Sequence, residues 1–129
     1  MIVDTEASLR DTYDFIMRAQ IPIPKFYILT PMPGTDLYAE FREKGRLLHE
    51  DYHFYTATHA VHTPERIPPE KLTEMYWWLY KKVYTFPNIL RRTVLHRYFW
   101  KRPLVYLFAF FVNLQYLLFI RRGDAPNIF

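Results

Sequence analysis

Four histidines are the side chains in this sequence best suited to metal chemistry. His49 and His53 stand four residues apart, and His59 and His62 three apart. On a helix those spacings would turn both imidazoles of a pair toward one ion. The run that carries them, from Arg46 to Pro69, lacks any helical or strand period, so the convergence has no element to act through. No metal ligand is therefore expected, and loop histidines bonded to backbone or water are the preferred reading. Cysteine is absent altogether. That excludes a disulfide scaffold, a thiolate zinc site, a cysteine nucleophile and an iron-sulfur cluster held by this chain's own sulfur.

A second candidate is the turn Pro31-Met32-Pro33-Gly34-Thr35, which follows the apolar run Lys25-Phe26-Tyr27-Ile28-Leu29-Thr30. One glycine and no following lysine exclude a Walker-type phosphate loop. A strand ending in a Pro-Gly turn, with Thr35 capping the next helix, would still leave backbone amides at the C-terminal edge of a sheet. That edge is where α/β sheets bind ligands. The competing reading is that Pro31, Pro33 and Gly34 only shape a turn.

The elements that must position these residues can be read from periodicity. Asp4 or Thr5 caps a helix over about 5–19, with Leu9, Tyr13, Ile16 and Met17 on one face, and Pro22 and Pro24 end it. Residues 25–30 read as a strand buried on both faces. Thr35 and Asp36 open a second helix carrying Leu37, Tyr38 and Phe41, with Gly45 as its C′ residue. Helix, strand, turn, helix is the rhythm of an α/β unit with a parallel sheet, yet a single strand cannot make that sheet. After Pro68-Pro69 a long amphipathic helix runs to about 85; a basic helix is expected at about 88–100 and a strongly apolar one at 103–121.

The stretch Phe26-Tyr-Ile-Leu-Thr-Pro-Met-Pro-Gly-Thr-Asp-Leu-Tyr38, followed by Gly45-Arg46-Leu47-Leu48, resembles the C-terminal half of radical S-adenosylmethionine enzymes that carry an N-terminal cobalamin-binding domain. Asp51-Tyr52, Tyr55, His59, Pro64 and Pro69-Glu70-Lys71-Leu72 are similar to the looser extension of the same proteins. The resemblance implies a fold class: α/β, a fragment of a partial TIM barrel over 1–48, its last βα unit, and a mainly helical extension over 49–129. It implies an enzyme that cleaves S-adenosylmethionine with an iron-sulfur cluster, a methyltransferase or oxidoreductase acting on a poorly reactive, lipid-like substrate. The lipid-like part of that expectation rests on the apolar tail. Leu29, Thr30, Pro31, Pro33, Gly34 and Thr35 would lie beside the bound cofactor. No catalytic residue carries over, and the cluster cysteines and the cobalamin domain are not part of this sequence. The expected partners are the remainder of the barrel and the cobalamin domain, and the chain alone is expected to be inactive and to hold none of these cofactors.

Charge supplies the other expectation. Residues 1–75 carry 8 basic and 12 acidic side chains, and residues 76–129 carry 9 basic and 1 acidic. The second half includes the apolar run Pro103–Ile120 between Lys101-Arg102 and Arg121-Arg122. At about 1.5 Å per residue its 18 residues reach about 27 Å, the lower limit for spanning a bilayer. Spanning, lying in the interface and packing in a core all remain open. A cytoplasmic protein is expected, associated through 88–122 with an anionic membrane at its inner face, and the alternative to the enzyme is a non-enzymatic, membrane-peripheral binding protein. Lys81, Lys82, Arg91, Arg92, Arg97, Lys101 and Arg102 could neutralise phosphates, but nucleic acid is disfavoured because Trp77 and Trp78 are needed for a core. The N-terminus has no basic region followed by an apolar run, so no secretory signal is expected.

Overall fold

A computed structural model describes residues 5–126. Five α-helices order the chain: α1 (Glu6–Ala19), α2 (Asp36–Glu43), α3 (Pro69–Val83), α4 (Phe86–Arg92) and α5 (Pro103–Arg122), with 3-10 turns at Tyr52–Phe54 and Phe99–Lys101. Among the described residues no β-strand forms, and the one isolated bridge, antiparallel, joins Leu47 to His62. The expected α/β unit and its barrel fragment are therefore not seen among these residues, whereas the mainly helical extension is. The run 25–30 has the composition of a buried parallel strand, but such a strand takes its hydrogen bonds from two neighbours. Here the Ile28 amide donates instead to the Ala57 carbonyl, at 2.9 Å, and no ladder follows.

The chain packs as two compact units. The first comprises residues 5–9 and Phe26–Trp77. α1 begins in it with a reciprocal cap: the Ser8 amide donates to Thr5 Oγ1 at 3.0 Å and the Thr5 amide to Ser8 Oγ at 2.9 Å, so two orphan donors find oxygen. Asp4, the other expected cap, lies outside the described residues. α2 starts at Thr35, whose Oγ1 accepts from the Tyr38 amide at 3.2 Å. It ends in a Schellman motif, with Arg46 N donating to Phe41 O and Gly45 N to Arg42 O, Gly45 taking the left-handed φ of +64° that the motif needs. Residues 46–48 then pair with 61–63 through Leu48 N to Val61 O and Thr63 N to Arg46 O. That short pairing closes the irregular, histidine-bearing loop. Ile28, Phe41, Val61, Leu72, Met75 and Tyr76 are buried in this unit.

The second unit comprises Arg10–Lys25 and residues 78–126. Leu79, Tyr80 and Val83 on α3, Ile89 on α4, and Ala109, Tyr116 and Ile120 on α5 are buried in it with Ile16 and Met17. α3 and α5 match their expected spans closely. The basic helix expected at about 88–100 is shorter, because Arg92 and Thr93 turn inward, both fully buried, and Thr93 Oγ1 bonds back to Ile89 O at 2.7 Å. Beyond it Arg97 leaves the helical path to reach Gln20 Oε1 and Arg18 O.

Arg92 is the unit's buried tie. Its guanidinium donates to the carbonyls of Ile21 and Pro22, to Val83 O at the end of α3, and to Asn113 Oδ1 on α5 at 3.2 Å. Asn113 returns a bond from Nδ2 to Pro22 O at 2.8 Å. Burial holds the Arg92 pKa down to about 10, opposed by the neighbouring Tyr84. An arginine so placed cannot serve a phosphate or a membrane, which removes it from the expected set of surface cations.

Candidate functional site

The Pro-rich turn is built as its sequence requires. Thr35 N donates to Met32 O at 3.1 Å, closing a four-residue turn with Pro33 and Gly34 at its centre. Proline fixes φ at the first central position, and Gly34 has φ +87° at the second, the left-handed value of a type II turn. Thr35 Oγ1 also donates to Met32 O at 2.7 Å while accepting from the next helix, so one hydroxyl locks the turn to α2. A Cβ added at Gly34 would meet nothing within 4 Å; the constraint there is the backbone angle rather than space.

Beside this turn lies an open cleft of about 510 Å³, lined by Tyr27, Ile28, Leu29, Thr30, Met32, Tyr55 and Ala57. Of the six residues expected beside a cofactor, Leu29 and Thr30 line it. Pro31 is fully buried and does not line it, and Pro33, Gly34 and Thr35 are exposed on the turn. Thr30 Oγ1 donates to Ile28 O at 3.0 Å, which leaves the oxygen its lone pairs as acceptors. Tyr55 closes the cleft from the loop, its hydroxyl donating to His49 O at 2.9 Å and its ring edge-to-face with Tyr52. Burial pushes the Tyr55 pKa up, with smaller contributions from Tyr38, Tyr52 and Glu50. Ala57 stands at φ +58°, an angle that costs a residue with a Cβ, and its carbonyl is the one that holds Ile28. Nothing in the sequence marks Ala57, since alanine does not announce a left-handed angle. Tyr55 carried a weak signal through its place in the resembling extension.

The histidines do not assemble. His49-Glu50-Asp51-Tyr52-His53 has the residue order of a zinc helix, but the segment folds as a 3-10 turn over Tyr52–Phe54. The His49 ring stacks on Phe54 at 4.6 Å, and His53 Nδ1 pairs with Asp51 Oδ1 at 2.8 Å. Asp51 is held below the usual carboxylate range, first by the backbone amide of His53 and then by its ring. His59 Nδ1 bonds Thr58 Oγ1 at 2.9 Å, and His62 is buried with its ring against Phe41. Among the described residues no group of three His, Asp or Glu side chains is placed to hold a metal.

No family model matches the chain, and no solved structure matches it. Two curated proteins from Chlorobaculum tepidum do. The chain is 38% identical over 89 residues to bacteriochlorophyllide d C-12(1)-methyltransferase, a match covering 69% of this chain and 19% of that protein. It is 36% identical over 92 residues to bacteriochlorophyllide d C-8(2)-methyltransferase, covering 71% of this chain and 20% of that protein. The chain therefore spans about a fifth of the length of the relatives it matches, and over about 70% of its own length it is similar to methyltransferases.

Proposed function

We propose that this chain is the C-terminal part of a radical S-adenosylmethionine methyltransferase of the cobalamin-binding type, and that its share of the active site is the cleft and turn at 27–35. The observation that supports this reading most is local. The motif residues Leu29 and Thr30, at the position where the resembling family keeps the adenine of its cofactor, face an apolar cleft beside a type II turn. The similarity to two methyltransferases supports the reaction class.

The donor set fits one cofactor of three. Tyr27, Leu29 and Met32 offer an apolar slot for a planar base, and Thr30 offers an oxygen to an exocyclic amine. When bound, S-adenosylmethionine supplies the one-carbon unit and the oxidising power needed at an unreactive carbon. An iron-sulfur cluster finds no thiolate in this chain, so its ligands and the cobalamin site belong to other parts of the enzyme. Here the chain's own work is to seat the base, exclude water from it and fix the turn. By analogy with the names of the relatives, the acceptor is a carbon of a bacteriochlorophyllide-type molecule.

The test uses the complete enzyme, prepared anaerobically with its cluster. It should cleave S-adenosylmethionine to 5′-deoxyadenosine, and Leu29→Glu should weaken binding of that cofactor about tenfold or more by placing a charge in the slot. An enzyme that fails to cleave it, or a variant that binds it as tightly as the wild type, would overturn the reading.

A further inference from the structure

α5 has two unlike faces. Ala109, Asn113, Tyr116 and Ile120, at spacings of four, three and four, are buried against the rest of the second unit. On the opposite side Leu104, Phe108, Phe111 and Leu118 form a stripe about 21 Å long, with Leu104 79% and Phe108 67% exposed. Trp100, 89% exposed, stands just before the helix. Such a run of large apolar side chains facing outward calls for an occupant.

Charge identifies the occupant. Lys101 and Arg102 precede the stripe, Arg121 and Arg122 follow it, and no Asp or Glu occurs from Met75 to Gly123. At the C-terminal end Lys81 joins Arg121 and Arg122 around a cleft of about 690 Å³ whose other walls include Phe86, Leu117 and Ile120. A second copy of this stripe would set cations against cations at both ends, whether it docked parallel or antiparallel. Spanning a bilayer would require the buried face to give up the bond that Asn113 Nδ2 donates to Pro22 O and the one that its Oδ1 accepts from Arg92. A helix lying flat satisfies both ends and both faces. We propose that the outward face of α5 seats in the interface of an anionic phospholipid membrane, with Phe108 and Phe111 in the acyl boundary, Trp100 at headgroup depth, and Lys101, Arg102, Arg121 and Arg122 against lipid phosphates. This proposal uses none of the cleft residues, and it requires that the remainder of the enzyme proposed above leave this face of α5 open.

Flotation of the full chain with vesicles tests it. Vesicles of phosphatidylcholine mixed with phosphatidylglycerol should carry the protein at about 0.1 M salt and release most of it at about 1 M. Phosphatidylcholine alone should carry little. Replacing all four cations by glutamine should lower partitioning about a hundredfold or more, at about fivefold per cation. The double variant F108S/F111S should lower it about a hundredfold without changing the melting temperature, since both side chains are exposed. Equal binding to the two vesicle types would overturn the proposal. So would binding that resists both salt and carbonate, which means spanning, or a stable dimer abolished by F108S/F111S, which means that a second copy covers the stripe.

Discussion

At the scale of single residues, two glycines separate a cofactor role from a structural one. Gly34 at φ +87° and Gly45 at φ +64° both occupy left-handed backbone, and a Cβ at either meets nothing within 4 Å. Gly34→Ala and Gly45→Ala should therefore each cost about 1 kcal/mol, from the backbone angle alone, as measured by denaturant midpoint. In the complete enzyme only Gly34→Ala should weaken S-adenosylmethionine binding; equal losses would show that the turn has no role at the cofactor. Tyr84 supplies a pH signature. Its hydroxyl donates to Pro24 O in the core, and burial raises its pKa well above the ordinary value of about 10, with Arg92 opposing and Tyr80 and Tyr116 adding to the shift. The folded state keeps the phenol protonated after the unfolded chain has begun to lose its proton, so stability is full below about pH 10 and falls as pH rises above it. Tyr84→Phe should lower the melting temperature at neutral pH through the lost bond, yet flatten its decline between about pH 9 and 11. A decline as steep in the variant as in the wild type would assign the alkaline sensitivity to other groups.

At the scale of elements, the network centred on Arg92 decides how α3, α4 and α5 meet the segment at Ile21 and Pro22. Arg92→Met keeps much of the side-chain volume but leaves the carbonyls of Ile21, Pro22 and Val83 without their donor, and should cost about 3 kcal/mol or more in chemical denaturation. A loss below about 1 kcal/mol would mean that water replaces the guanidinium. This network also shows where the sequence was legible. The amphipathic period of α3, the apolar composition of α5 and the cap at Thr35 are local signals, and each places its element to within a few residues. Arg92, by contrast, looks like any member of a basic run. Its burial follows from carbonyls contributed about seventy residues away, which no local pattern reports. The same holds at the cleft: the Pro-Gly turn is legible because its residue types constrain the backbone and Leu29 and Thr30 are reached only through the family resemblance, whereas Tyr55 and Ala57 arrive through the 46–48 and 61–63 pairing that closes their loop.

At the scale of the whole molecule, the segment 26–30 is the place where the chain's composition and its structure disagree. Phe26-Tyr27-Ile28-Leu29-Thr30 reads as the interior strand of a parallel sheet, a position in which both edges are hydrogen-bonded and both faces covered. In this chain Ile28 is buried and bonded to Ala57, while Tyr27 is 52% exposed. On the reading proposed above, that combination is what a barrel strand would show without the strands on either side of it. If the proposed enzyme supplies that sheet, the composition of 26–30 suits an environment that the local backbone does not adopt alone. Amide exchange makes the point measurable. In the isolated chain the amides of Tyr27 and Leu29 should exchange at least about a hundredfold faster than those in the middle of α3, as expected for backbone outside a cooperative ladder. In the complete enzyme the same amides should be protected to the level of the barrel core, and S-adenosylmethionine should slow them further by binding only the folded site. Amides at 27 and 29 that stay fast in the complete enzyme would show that 26–30 never joins a sheet, and the barrel assignment would fall with it.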